Sequence, residues 1–161
     1  MSRMYTVVFQ GTITNAGGDQ DLLECAPADD KPVRLRGFSL GNTSEVGDAA
    51  EEGLRISVYR MTATVTSGSG GSSPTVLPID GADAAFGGTV EVNNTTVATT
   101  SGSALIVHEL GWNIRNSPCE FWYPDERFCP IVRGTEYLIV RLQTTPADDF
   151  TGQFTFWLEE L

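Results

Sequence analysis

The 161-residue sequence is poor in histidine, cysteine and lysine, and these shortages argue against several kinds of site. His108 is the only histidine, so a cupin-type metal site, which needs several histidines, is not expected. The glycine-rich stretch 68–71 is not followed by Gly-Lys-Thr/Ser, so it lacks the pattern of a phosphate-binding loop. No Gly-x-Ser-x-Gly motif supplies a nucleophile for His108. The sequence therefore predicts a protein that is not an enzyme, with no catalytic, cofactor-binding or metal site.

Three cysteines leave one question open. Cys25, Cys119 and Cys129 form no Cys-x-x-Cys pair. Cys119 and Cys129 could join the two ends of a turn, but only if their Cα atoms lie within about 7 Å of each other. The first residues lack the apolar segment of a signal peptide, which indicates synthesis in a reducing cytoplasm. Three reduced thiols are the favoured interpretation.

The charge balance bears on the class of partner. Ten basic residues, of which only Lys31 is a lysine, face 21 acidic ones, and the formal net charge is −11. The arginines are scattered along the chain, whereas a nucleic-acid-binding protein usually clusters its basic residues on one face. No apolar run approaches the roughly 18 residues of a membrane-spanning helix. We expect no nucleic-acid partner and no membrane partner.

No segment has the periodicity of an amphipathic helix, and short strands fill the chain instead. Segments 33–40, 54–61 and 151–159 alternate apolar and polar residues, as half-buried strands do. The pattern predicts an all-β fold, a two-sheet antiparallel sandwich of jelly-roll type, with an immunoglobulin-like sandwich as the runner-up. We expect one domain over residues 1–161, with flexible loops near 41–53 and 66–74.

An aromatic group stands out against this background. It consists of Trp112, Phe121, Trp122 and Tyr123. Such a group could stack against sugar rings, or it could pack in the core or at a subunit interface. Core or interface packing is favoured, because Trp122 and Tyr123 lie between turn residues and Pro124 ends the segment. These four residues are the candidates for an interaction surface.

Several short segments together resemble a family of viral proteins. They are the run 26–35, the acidic loop before Leu54, the Gly/Ser stretch ending at 73–75, the run 91–96, and the segments 140–142 and 146–148. This pattern is similar to small β-rich virion structural proteins of tailed phages and prophages, of the capsid-decoration or cement type. Cys119 and Cys129 are not part of the pattern.

The resemblance implies a function on the outside of a capsid. A protein of this type binds the outer capsid surface and stabilises the shell by bridging capsid subunits. Its partners would be the major capsid protein and further copies of itself, as a dimer or trimer. The expected location is the virion, after synthesis in the bacterial cytoplasm. A receptor- or carbohydrate-binding virion module, in a head fibre or tail, is the alternative function.

Overall fold

The structure is a computed structural model that describes residues 2–44, 52–116 and 118–161. Within these ranges the chain is built from β-strands and one 3-10 helix, Glu126–Phe128. The strands are β1 (Arg3–Ile13), β2 (Gln20–Ala26), β3 (Val33–Asn42), β4 (Gly53–Met61), β5 (Val65–Thr66), β6 (Leu77–Pro78), β7 (Thr89–Glu91), β8 (Thr99–Thr100), β9 (Ala104–Asn113), β10 (Cys119–Trp122), β11 (Ile131–Val132), β12 (Tyr137–Leu142) and β13 (Phe150–Glu160).

The long strands arrange into two antiparallel sheets. One sheet has the order β10-β3-β13-β1-β6, with β11 also paired to β3, and is called the six-stranded sheet below. The other has the order β7-β2-β12-β4-β9 and is called the five-stranded sheet. All pairings between these strands are antiparallel. The predicted all-β sandwich is confirmed.

Strand order distinguishes the two predicted topologies. The eight longer strands, in chain order, are β1, β2, β3, β4, β9, β10, β12 and β13. Numbered one to eight, they lie in the orders 6-3-8-1 and 2-7-4-5. This is the connectivity of a jelly roll, in which successive strands cross between the sheets. The immunoglobulin-like alternative is wrong, because that fold places its first two strands side by side in one sheet.

The core lies between the sheets and follows from the alternation of side chains. In β3, Val33 and Leu35 point inward while Arg34 between them is only partly buried. In β13, Phe154, Phe156 and Leu158 are buried on the same inner side. Alternation with period two places every second side chain of a strand on one face, so these segments bury one face and leave the other outside.

The connection from β4 to β9 is long and covers the outer face of the five-stranded sheet at β2 and β12. It spans residues 62–103 and contains β5 to β8. Ala98 in this segment packs with Tyr59, Met61 and Ile139 in a small apolar cluster separate from the main core. The same segment pairs β6 with β1 and β7 with β2, so it also lines one side of the sandwich. The five-stranded sheet is therefore buried on both faces along β2 and β12, whereas β9 keeps exposed side chains on its outer face.

A buried ion pair attaches this segment to the sheet. Asp21 on β2 and Arg141 on β12 bind each other through two hydrogen bonds, one of 3.0 Å from an Arg141 Nη atom to Asp21 Oδ2. The Ala98 amide donates to Asp21 (2.7 Å), and its carbonyl accepts from Arg141 (2.9 Å). Burial raises the pKa of Asp21 to about 6, although Arg141 opposes this shift. Each of the two charged groups is stabilised by the other, because both are shielded from water.

Glu24 makes a second polar attachment. Its carboxylate accepts hydrogen bonds from the Ser67 hydroxyl (2.6 Å), the Gly68 amide (3.0 Å) and the Asn94 side chain (2.7 Å). The predicted loop 66–74 is therefore held against the sheet at its first residues. In the predicted loop 41–53, residues 45–51 lie outside the described residues, while 41–42 belong to β3 and Gly53 begins β4.

No helix among the described residues has the length and apolarity needed to cross a bilayer.

Substitution of Arg141 by methionine tests the buried ion pair. We expect the free energy of unfolding at pH 7 to fall by about 3–5 kcal/mol, because the Asp21 carboxylate is left buried without its partner. The native carboxyl group then has a pKa above that of the unfolded chain, so the native state takes up a proton as the pH falls. The loss should therefore be smaller at pH 5 than at pH 7. Urea unfolding at both pH values measures it.

Arg115→Met is the matched control, because Arg115 is exposed. An Arg141→Met variant that loses no more than the control, or loses equally at both pH values, would contradict this account.

Candidate functional site

The structure separates the four predicted aromatic residues into an inner and an outer group. Trp112 on β9 is 2% exposed and lies edge-on to Phe150 and Phe154, with ring centroids 6.0 and 6.3 Å away. It belongs to the main core. Trp112 is thus not available to a partner, and its assignment to an interaction surface is wrong.

Phe121 and Tyr123 also point inward, around the single histidine. The ring of His108 lies 4.4 Å from that of Phe121, and its Nδ1 is 3.0 Å from the Tyr123 hydroxyl. Tyr123 is buried and Phe121 is half-buried. Burial lowers the pKa of His108 below its ordinary value and raises that of Tyr123. Tyr123 is thus a core residue and Phe121 packs against the core, both in contact with the His108 ring on β9.

Trp122 alone of the four lies outside. It is 46% exposed and stacks on Trp157 of β13, with ring centroids 4.3 Å apart and planes 26° from parallel. Both indole side chains project outward from the outer face of the six-stranded sheet. Trp157 was not among the residues that the sequence singled out.

The two tryptophans meet because glycine lies between them. Gly37 of β3 is the register partner of both Trp122 and Trp157. A Cβ atom at Gly37 would lie 2.6 Å from the Phe121 carbonyl oxygen and 2.9 Å from the Trp122 ring. The missing side chain lets two residues on strands that are not neighbours close over the backbone. This arrangement is the aromatic covering of a strand glycine.

A row of residues extends this pair across the sheet. Thr6 on β1 is the register partner of Trp157 and also of Leu77 on β6. Leu77 is 54% exposed, and Val8 projects from β1 on the same side. We call the surface formed by Trp122, Trp157, Leu77 and Val8 the tryptophan face. It is an exposed apolar surface on the outside of a sheet, of a kind that often marks a protein–protein contact.

Charged residues border the tryptophan face. Arg34 lies between two carboxylates, 2.9 Å from Glu126 and 3.1 Å from Glu159. Arg36 is 3.5 Å from Glu159. On the other side, the indole N–H of Trp122 donates to the Glu120 carboxylate. An apolar centre with a polar rim is the usual organisation of an interface.

The cysteines do not pair. All three are free, as the sequence analysis favoured. Cys119 lies on β10 opposite Leu40, whereas Cys129 follows the 3-10 helix beyond that strand. Burial raises the pKa of both thiols, so neither is activated as a nucleophile.

Other concave regions of the described chain are shallow. A cavity of about 510 Å³ is formed almost entirely by the 62–103 segment together with Tyr137 of β12, and Glu91 and Tyr137 are its titratable lining residues. Among the described residues, no three His, Cys, Asp or Glu side chains converge as metal ligands would. The tryptophan face is the candidate site on grounds of its exposed aromatic side chains.

Comparison of the chain with protein-family models, with curated proteins and with solved structures finds no match.

Replacing Gly37 by alanine tests the assembly of the tryptophan face. The new methyl group needs space that the Phe121 carbonyl and the Trp122 ring now fill, so we expect the indole pair to separate. The exciton signal of stacked indoles in the circular-dichroism spectrum should be lost, with a fall of about 1–3 kcal/mol in stability. Gly53→Ala is the control, because a Cβ there meets nothing within 4 Å. An unchanged exciton signal in Gly37→Ala would contradict the stacking.

Replacing His108 by phenylalanine tests the buried imidazole. The native pKa lies below the unfolded value near 6.5, so the unfolded chain binds the extra proton and the wild-type protein should lose stability as the pH falls below about 6.5. Phenylalanine preserves the ring but cannot titrate. The wild type should therefore lose more stability between pH 7 and pH 5 than the variant does, in chemical unfolding. Equal losses in both proteins would show that His108 is not the group responsible.

Proposed function

We propose that this protein binds the outer surface of an assembled capsid, most simply the shell of a tailed phage, and stabilises it by bridging neighbouring capsid subunits. The role is structural and not catalytic. The observation that supports it best is the tryptophan face, where Trp122 and Trp157 lie stacked and partly exposed on the outside of the sheet.

This surface extends across several strands and therefore suits a broad partner. Tryptophan is enriched among the residues that contribute most to binding between proteins. The rings are already fixed against each other over Gly37, so little conformational freedom is lost when a partner covers them. A capsid lattice offers a flat partner in many copies, and modest contacts repeated on a lattice give a high total affinity.

The charge of the chain supports the same role. With a net charge of −11, the protein is repelled by nucleic acid and does not remain bound to it before assembly. The jelly-roll fold itself contributes little to this argument, because the fold occurs in capsid proteins, lectins and enzymes alike.

Binding to mature shells is the direct test. Purified protein is incubated with DNA-free shells of the phage that encodes it and sedimented. We expect the wild type to co-sediment and to raise the temperature at which the shells fall apart. The Trp122→Ser/Trp157→Ser double variant should bind at least about tenfold more weakly, because it removes the apolar centre of the surface.

Phe128→Ser is the matched control, since Phe128 is a large exposed aromatic residue in the 3-10 helix and not on the tryptophan face. The proposal is overturned if the wild type does not bind shells, or if the double variant binds them as the control does.

A glycan-binding virion module is the second candidate, and the same tryptophan pair favours it. Stacking occupies one side of each ring, and Trp122 is 46% exposed, so a sugar ring could lie on its other side next to the Glu120 carboxylate. A glycan array distinguishes the two. Saturable glycan binding that the double variant loses, without binding to shells, would establish this alternative and reject shell stabilisation.

A further inference from the structure

One edge of the sandwich is long and unpaired. The 62–103 segment supplies short edge strands on one side, β6 and β7, of two and three residues. On the opposite side, the edge of the five-stranded sheet is β9, which has ten residues. Among the described residues, only β4 pairs with β9. A long strand with free backbone groups is a template for pairing with another chain.

The direction of the free backbone groups follows from the neighbouring strand. The Arg55 carbonyl on β4 accepts from the Gln143 amide (2.8 Å), so the backbone groups of Arg55 point away from β9. In an antiparallel ladder the direction alternates along each strand. Gly111, opposite Arg55, and Glu109, opposite Ser57, therefore direct their N–H and C=O groups to the open edge.

The side chains at this edge form a shallow groove with a distinctive charge pattern. Glu109 accepts from Arg55 Nε (2.8 Å) and from the Ser57 hydroxyl (2.9 Å), and both the arginine and the glutamate remain substantially exposed. A cavity of about 380 Å³ lies along Arg55, Glu109, Leu110 and Gly111. A Cβ atom at Gly111 would meet nothing within 4 Å. The groove is open where Gly111 has no side chain.

We propose that β9 pairs with β9 of a second copy of the chain, antiparallel and about a two-fold axis at Leu110, so that two five-stranded sheets join into one.

The register explains why a second copy is the occupant. With the axis at Leu110, Glu109 lies opposite Gly111 of the second copy, and each residue of this pair has its backbone groups at the open edge. Such a pair exchanges two hydrogen bonds, and the two-fold axis repeats it. Leu110 lies opposite Leu110, which brings the half-buried leucines of both copies together.

Charge complementarity favours the same register. The row across the joined sheet is Arg55, Gly111, then Glu109 of the second copy. Because glycine leaves the space between them empty, the second copy's carboxylate approaches the guanidinium that already binds the first copy's Glu109. No carboxylate lies opposite a carboxylate, although each chain has a net charge of −11. An unrelated extended segment would satisfy only the backbone groups.

The bulge between β4 and β9 sets the extent of the pairing. The register shifts between Val58 and Tyr59, where β9 contains the extra residue Val107. Regular pairing is therefore confined to the part of β9 that runs from His108 to Trp112, whose ends the axis at Leu110 places opposite each other. The dimer is independent of shell binding, since the tryptophan face lies on the other sheet, so either proposal can fail without the other.

Sedimentation velocity over a range of protein concentrations, with two variants of Gly111, tests the dimer. Gly111→Glu places a carboxylate opposite Glu109 of the second copy, and Gly111→Gln places a neutral group of the same size there. Because the position is open in the single chain, neither side chain should clash there, and both variants should unfold at a temperature no lower than that of the wild-type monomer. We expect a wild-type dimer whose dissociation constant rises at least about tenfold more in Gly111→Glu than in Gly111→Gln.

Hydrogen exchange gives an independent measurement. The Glu109 and Gly111 amides should exchange more slowly as the wild-type protein is concentrated, and this protection should be absent in Gly111→Glu. The proposal is overturned if the wild type is a monomer at about 100 µM, if both variants dimerise equally, or if protection on concentration appears elsewhere and not at these amides.

Discussion

The attachment of the 62–103 segment to the five-stranded sheet is the constraint on which the available surfaces of this protein depend. A two-sheet sandwich has two outer faces, and an uncovered face exposes whatever its strands carry outward. Here the Asp21–Arg141 ion pair and the Glu24 hydrogen bonds hold the connecting segment over one face. The outer face of the six-stranded sheet therefore exposes its tryptophans. Within the described part of the chain, the edge strand β9 has β4 as its neighbour on one side and an open edge on the other.

The exposed aromatic surface arises from a local rule of sheet geometry. Side chains on strands that are two positions apart do not normally meet, because the strand between them fills the gap. Gly37 removes that obstacle, and the rings of Trp122 and Trp157 approach to 4.3 Å. The pair both covers a glycine that would otherwise weaken β3 and offers an apolar surface to a partner. The packing of this sheet and the proposed recognition thus involve the same three residues.

The sequence predicts the fold better than it predicts the site. Alternation in β3, β4 and β13 is strong enough to identify the strands and the sandwich. Trp122 is exposed and Trp112 is buried because of the sheet face to which each side chain points. A shift of one residue in the register of either strand would turn its tryptophan to the opposite face. Trp157 could have been recognised as an outward residue of an alternating strand, but its contact with Trp122 requires the order β10-β3-β13. The loop 66–74 is recognisable from its glycines and serines. Its contact with Glu24 is not, because Glu24 lies on β2, which is distant in the sequence.

The central claim is that the outer face of the six-stranded sheet is the surface by which this protein acts. Electron cryomicroscopy of mature phage shells incubated with the purified protein measures this most directly. The account predicts added density on the shell exterior, oriented with Trp122 and Trp157 against the capsid lattice. Decorated shells in which the 62–103 segment faces the lattice and both tryptophans point to solvent would contradict it, as would shells that carry no added density at saturating protein.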